Sequence, residues 1–315
     1  MIEANAVKIT HFVRLANAQL HFLEDQFAAV ETATRCLRHF KMTYTDFQEQ
    51  FLKIILDQDA WGVEAAILQP CVDEFLKSED AIMALERLCL IYEKKTHNED
   101  YLRKSFEKLL RIDEFNIKAL KYFKLIHTQS GEWVQVSSIL QKMLAAPIHQ
   151  QDRYRYAQEL AGVFLYQLDL PEDCIKIIDG YCADSYLDTS TIHYDAYQRM
   201  GKWDGCLGVL LECLKSVKDN SSSSILHFKA GVLLEQMGQE QQAMNHYRQS
   251  IELWPRFILP VEKVIAIEIR RERWDELLEM LRYVHGLVKD NRSEASLGDV
   301  IDRLKEGLNV RSAEA

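Results

Sequence analysis

Five prolines and twelve glycines in 315 residues are too few for the turn density of an all-β protein. No stretch approaches the roughly 18 consecutive apolar residues of a membrane helix. The opening residues, MIEANAVKITHFVRLANAQ, have no basic region followed by a sustained apolar run. Seven cysteines, Cys36, Cys71, Cys89, Cys174, Cys182, Cys206 and Cys213, never form a C-x-x-C pair. Zinc-ribbon and thioredoxin-like chemistry lose their main support, and an odd count suits reduced thiols better than a disulfide framework. H-E-x-x-H, G-x-S-x-G, G-x-G-x-x-G and the phosphate-binding glycine loop are all missing. A soluble, cytoplasmic protein without catalytic residues, cofactor or metal is expected.

What is present points to helices. Hydrophobic residues make up 48% of the chain and charged residues 27%, enough apolar surface for burial on a soluble body. Lysine and arginine number 38 against 48 aspartates and glutamates, a net charge of −10. That balance argues against binding to a phosphate backbone. At this length the chain is either two domains or one elongated array.

The stretch Ile225–Phe257 organises the rest. Ala230 and Gly231 sit inside an apolar helical run, and Gly238-Gln239-Glu240 breaks it. A second helix then carries Ala243, Tyr247, Ser250 and Ile251 on one stripe, at i, i+4, i+7 and i+8, before Pro255 ends it. This resembles the tetratricopeptide repeat, a helix–turn–helix unit of about 34 residues.

The Ala243 register recurs along the chain. Val30, Glu64, Leu102, Val136, Cys174, Cys206, Ala243 and Leu277 are spaced 34, 38, 34, 38, 32, 37 and 34 residues apart. Trp61, Trp133, Trp203 and Trp274 each stand three residues before their marker, and Phe27 holds the same place in the first unit. An aromatic there can cap the seam between neighbouring hairpins. Glu64 is the odd member, because an acid at a packing position needs a partner. Pro70 is expected to kink or end its helix and Pro171 to open one.

The resemblance implies an all-α, right-handed α-solenoid of about eight hairpins with a C-terminal capping helix. Residues 1–220 would hold six repeats and 221–310 two more plus the cap. A capping-box-like Ser296–Asp299 would open that cap, with a disordered tail at 311–315. The polar run from Lys218 to Ser224 is expected to be a flexible joint. One hairpin cannot bury its apolar face alone, so stacked neighbours share a continuous core.

In that family the first helix of each hairpin lines a concave, partner-binding groove. The resemblance places Arg87, Lys94, Lys95, Lys118 and Lys121 there, a basic stripe for an acidic or C-terminal-carboxylate segment, flanked by Tyr156, Glu159 and Tyr166. Some members clamp a peptide carboxylate with lysine, arginine and asparagine. The matching positions here are Arg87, Ile91, Lys121 and Leu125, with aliphatics where the clamp needs asparagine. Phe228, Val232, Glu235, Glu262 and Ala266 offer a more apolar, acidic surface in the last units. His193, Tyr194 and Asp195 are the most reactive-looking local set, but adjacent helical residues diverge.

The expected function is a protein–protein interaction scaffold that does no chemistry and inserts in no membrane. The alternative is self-assembly into a homo-oligomer, invited by Ile9, Phe12, Val13 and Leu15 in the first helix. A catalytic solenoid or an RNA-binding repeat is a third class, and no two-residue base-reading code is evident for the latter.

Overall fold

The computed structural model of the chain describes residues 2–56, 59–182, 186–287 and 301–302. Every regular element among them is helical. The chain divides into two compact units, Met1–Arg153 and Tyr154–Ala315.

The first unit begins with the hairpin α1 (Ile2–His21) and α2 (Gln26–Phe40). The second hairpin opens with α3 (Tyr44–Phe47), a π turn over Gln48–Leu52 and α4 (Lys53–Ile55), and closes with α5 (Trp61–Cys71). Then come α6 (Ser78–Lys94) with α7 (Glu99–Ile112), and α8 (Ile117–Gln129) with α9 (Trp133–Ala145). The second unit begins within α10 (Gln150–Gly162), which runs into a π turn over Val163–Gln167 and is followed by α11 (Pro171–Tyr181). It continues with α12 (Tyr186–Arg199) and α13 (Trp203–Ser216), α14 (Asn220–Gln236) and α15 (Glu240–Leu253), and α16 (Ile258–Arg270) and α17 (Trp274–Leu287).

The repeat register holds from the second hairpin onward. Trp61, Trp133, Trp203 and Trp274 are each the first residue of a second helix. The marker is therefore the fourth, and Glu64, Leu102, Val136, Cys174, Cys206, Ala243 and Leu277 are all buried. The first hairpin is the exception. Asp25 caps α2 by accepting the Ala28 N–H at 2.9 Å, which starts the helix one residue earlier relative to Phe27. Ala29 takes the marker place at 0% exposure, Val30 is half-buried, and Phe27 points to solvent at 82%.

Glu64 finds its partner in the next hairpin. Arg87 donates from Nε to Oε1 at 2.7 Å and from Nη2 to Oε2 at 2.9 Å, a two-pronged bond that offsets the burial of the carboxylate. Pro70 is kept inside α5, which ends at Cys71 in a tighter turn over Val72–Glu74. Pro171 opens α11, where its missing N–H costs nothing. Asn116 does the work of a turn residue before α8, its Oδ1 accepting the Ala119 N–H at 3.2 Å.

In the hairpin of α14 and α15 the small residues have a defined purpose. A Cβ built on Gly231 would lie 2.5 Å from the Tyr247 ring, so only glycine lets that fully buried ring seat against α14. Gly238 turns the chain at φ +75°, a left-handed value that suits glycine. The polar run before this hairpin is not a joint. Asp219 caps α14 by accepting the Ser222 N–H at 2.7 Å, and Asn220–Ser224 form its first turn. Ser224 is fully buried, its hydroxyl 2.7 Å from the Ser250 carbonyl, so side-chain bonding to the partner helix overrides the loop propensity of serine.

The apolar run of α1 also turns inward. Val13 is buried, and Ile9 and Phe12 pack against the core of the first unit. The expected self-assembly face therefore lacks these three, and only Leu15 of the four is exposed. Ser296–Asp299 and the tail lie outside the described residues. Ile301 is described, and it packs against Leu277, Leu278 and Leu281 of α17.

Candidate functional site

The expected basic residues of the first unit are largely engaged. Arg87 is committed to Glu64 and lies 5.2 Å from the centre of the Trp61 ring, where the Lys95 ammonium also sits at 4.5 Å. Lys94 pairs with Glu93 at 2.9 Å, and Lys118 of α8 reaches Glu86 of α6 at 2.9 Å. Lys121 is exposed. Of the positions matched to a carboxylate clamp, Ile91 is fully buried and Leu125 is 56% exposed, so the two aliphatics do not share a surface.

In the second unit Tyr156 is 3% exposed and belongs to the core, which leaves its ring no surface to offer as an anchor. Glu159 is half-buried on α10, and Tyr166 is exposed at the end of the π turn. The π turn faces Val163, Phe164 and Leu165 to the core in succession and leaves Tyr166 free to reach α12. Its hydroxyl donates to Asp195 Oδ2 at 2.7 Å. Burial first, and then that bond to a carboxylate, push the phenol up to about 12. Arg199 stacks over the ring at 5.7 Å and donates to the Leu165 carbonyl and to Asp169.

Beside Asp195 a cleft of about 470 Å³ opens between α12 and α14, the first helices of successive hairpins. Tyr194, Asp195 and Gln198 line one wall, and Lys229, Val232 and Gln236 the other. Leu210, Cys213 and Leu233 form a buried apolar floor. Polar groups thus rim the cleft above a floor of buried apolar side chains. The sequence pointed to Val232 and Phe228 but not to the opposite wall. Tyr194 and Asp195 stood out only for their neighbour His193, which turns away: it is 3% exposed and bonds Asp179 at 3.1 Å. No local signal links Tyr166 to Asp195, because their pairing depends on how two hairpins stack.

Elsewhere on α14, Glu235 anchors a polar cluster. It accepts from Tyr247 at 2.9 Å, Lys263 at 3.0 Å and Arg270 at 2.9 Å. Burial pushes its carboxyl up, but the bonds from Lys263 and Tyr247, the Lys263 charge and the Arg270 bond outweigh it and hold it below the usual range. No group of three or more metal-ligating side chains occurs among the described residues. Burial raises Cys174 to about 12 and also raises Cys206, so both thiols stay protonated at neutral pH.

His227 of α14 and His246 of α15 meet through their Nδ1 atoms at 2.9 Å, one nitrogen donating to the other. Burial lowers both below their ordinary 6.5, and the charge of His246 lowers His227 further. Between the lowered values and 6.5 the unfolded chain binds more protons than the folded one, so stability rises with pH there. The second unit is expected to keep its full stability above about pH 6.5 and lose it as the pH falls through the lowered values. Thermal melts of wild type and His227→Gln across that range check this, the variant giving the flatter profile.

The described residues thus form an all-α repeat protein of successive helical hairpins. Among solved structures it resembles YrrB, a TPR protein with an unusual peptide-binding site, at 13% identity and a TM-score of 0.38, over 63% of this chain and 97% of that one. The yeast Tom70 structure gives 15% identity and 0.34, over 98% of this chain and 61% of that one. The P58(IPK) TPR domain gives 14% and 0.29, over 94% and 90%. No family profile and no curated protein matches the chain. At these scores the fold assignment rests on the chain's own hairpins. No described helix is long and apolar enough to cross a membrane.

Proposed function

We propose that the protein is a non-catalytic scaffold that binds a segment of a partner protein along the first helices of its hairpins. The observation that carries this is the α12–α14 cleft, whose apolar floor and polar rim suit a side chain with peptide groups on either side. In the first unit, exposed Lys121, three residues from Lys118 on α8, offers a cation of its own that favours acidic residues in a bound segment. All seven cysteines are free and buried, which suits a reducing, cytoplasmic setting.

A photo-crosslinking residue at Gln198, on the cleft wall, is expected to join a discrete partner protein in host lysate. The same residue at Gln249, exposed on α15, should not. Val232→Asp should cut the crosslinked yield by about tenfold by charging the apolar wall, with circular dichroism unchanged. Equal yields from both positions would sink the reading.

A further inference from the structure

The side of α1 opposite its core carries exposed apolar and cationic side chains. Val7, His11, Arg14, Leu15, Ala18 and Phe22 recur at helical spacing along it. Val7 is 58% exposed, Leu15 52% and Phe22 81%, and Phe22 prolongs the helical turn through its N–H to the Ala18 carbonyl at 3.0 Å. From Val7 to Phe22 the stripe runs ~22 Å at 1.5 Å per residue, about four turns. Val13 and Ala16, on the other side, are buried, so this helix is apolar on two faces and spends only one on its own hairpin.

The charged side chains within the stripe's own stretch of α1 are of one sign, and Glu24 and Asp25 follow only in the turn beyond it. Residues 4–23 contain no aspartate or glutamate, in a chain whose net charge is −10. Lys8, His11 and Arg14 are exposed and have no ionic or hydrogen-bonded side-chain partner among the described residues. Arg87 and Lys94 of α6 and Lys118 of α8 differ in this respect, since each has a carboxylate.

We propose that this face of α1 docks an acidic amphipathic helix of a partner protein, aliphatic side chains on Val7, Leu15 and Phe22 and carboxylates against Lys8 and Arg14. A straight stripe of four turns matches a helix laid alongside it. Opposite charge supplies selectivity and encounter rate. A second copy of the chain is a poor occupant, because pairing α1 with α1 sets unpaired cations against each other. An anionic bilayer is also disfavoured: two Lys or Arg contribute about 1 kcal/mol each at such a surface, and Glu24 and Asp25 adjoin Phe22 in the turn. The surface shares no residue with the α12–α14 cleft, so each can be tested by its own substitutions.

The test is selection from a displayed library of random 18-residue peptides on the full chain, followed by anisotropy titration of the enriched peptides. Sequences with carboxylates flanking an aliphatic stripe are expected. Their affinity should fall at least about tenfold for Leu15→Asp and for Lys8→Glu/Arg14→Glu, and stay unchanged for Val232→Asp. All substituted side chains are exposed or half-buried, and circular dichroism confirms the fold. Enriched peptides without acidic bias, insensitive to the α1 variants, would overturn the proposal. So would a failure to enrich any peptide that depends on α1. Cosedimentation with phosphatidylcholine–phosphatidylserine vesicles that Leu15→Asp abolishes would overturn it in favour of a membrane. A dimer in light scattering that the same substitution dissolves would overturn it in favour of self-association.

Discussion

Tyr247→Ala is expected to lower the unfolding free energy by about 3–5 kcal/mol. The ring is fully buried between α14 and α15, packed over Gly231 and tilted against Phe228 with ring centres 5.9 Å apart. Removing it opens a cavity that Gly231 cannot fill, because glycine has no side chain to move in. It also takes one donor from Glu235, which keeps Lys263 and Arg270. Tyr247→Phe separates the two contributions: it retains the packing and should cost about 1 kcal/mol, the usual net value of a single hydrogen bond. Gly231→Val approaches the same contact from the other side and should cost about 1–3 kcal/mol by overpacking the ring. Combined with Tyr247→Ala it should cost less than the sum, since the new side chain enters the vacated space. Urea unfolding followed by tryptophan fluorescence measures all four. Strict additivity of the pair would contradict the direct contact.

Arg87→Ala is the second large effect, about 3 kcal/mol, at the lower end of what breaking a buried ion pair costs. Glu64 would be left buried among apolar neighbours with its two-pronged partner gone. The lower end applies because the arginine side chain is 29% exposed and water can reach the gap. Arg87→Lys should recover only part of the loss, as an ammonium cannot make the paired bonds of a guanidinium. The double variant Glu64→Leu/Arg87→Met should restore most of the stability by exchanging the pair for apolar contact of similar volume. If Arg87→Ala melts like wild type, the pair is solvated rather than structural, and Arg87 returns to the pool of cations available to a partner.

That pair shows where the sequence stops being readable. The 34-residue register marks Glu64 as a packing position held by an acid, but its partner lies 23 residues on, in the next hairpin. Which cation reaches it depends on the stacking of α5 and α6. The same limit applies to the basic stripe. Arg87, Lys94, Lys95, Lys118 and Lys121 are legible as a cluster of like charge. Whether each faces a carboxylate, an indole or solvent is a matter of neighbouring helices. Tyr156 reads as an aromatic flanking the basic stripe, yet packing in its unit closes over it.

Local rules also compete, and the tertiary structure settles the contest. The serines before Leu226 favour a turn by propensity, but Asp219 caps them and Ser224 bonds across to Ser250, so they become helix. In the first hairpin the spacing rule selects Val30, while the cap at Asp25 shifts the helix start and gives the place to Ala29.

The sequence by itself determined the helical class, the order of the hairpins, the tryptophans that open second helices and the small pair Ala230-Gly231 that permits a close approach. These follow from short-range periodicity, turn residues and residue size, which a chain carries wherever it folds. Only the tertiary structure decided which charges are satisfied, which aromatics are covered and where a cleft opens. Those depend on residues tens of positions apart meeting across stacked helices, and the energy of each contact exists only once both helices are in place.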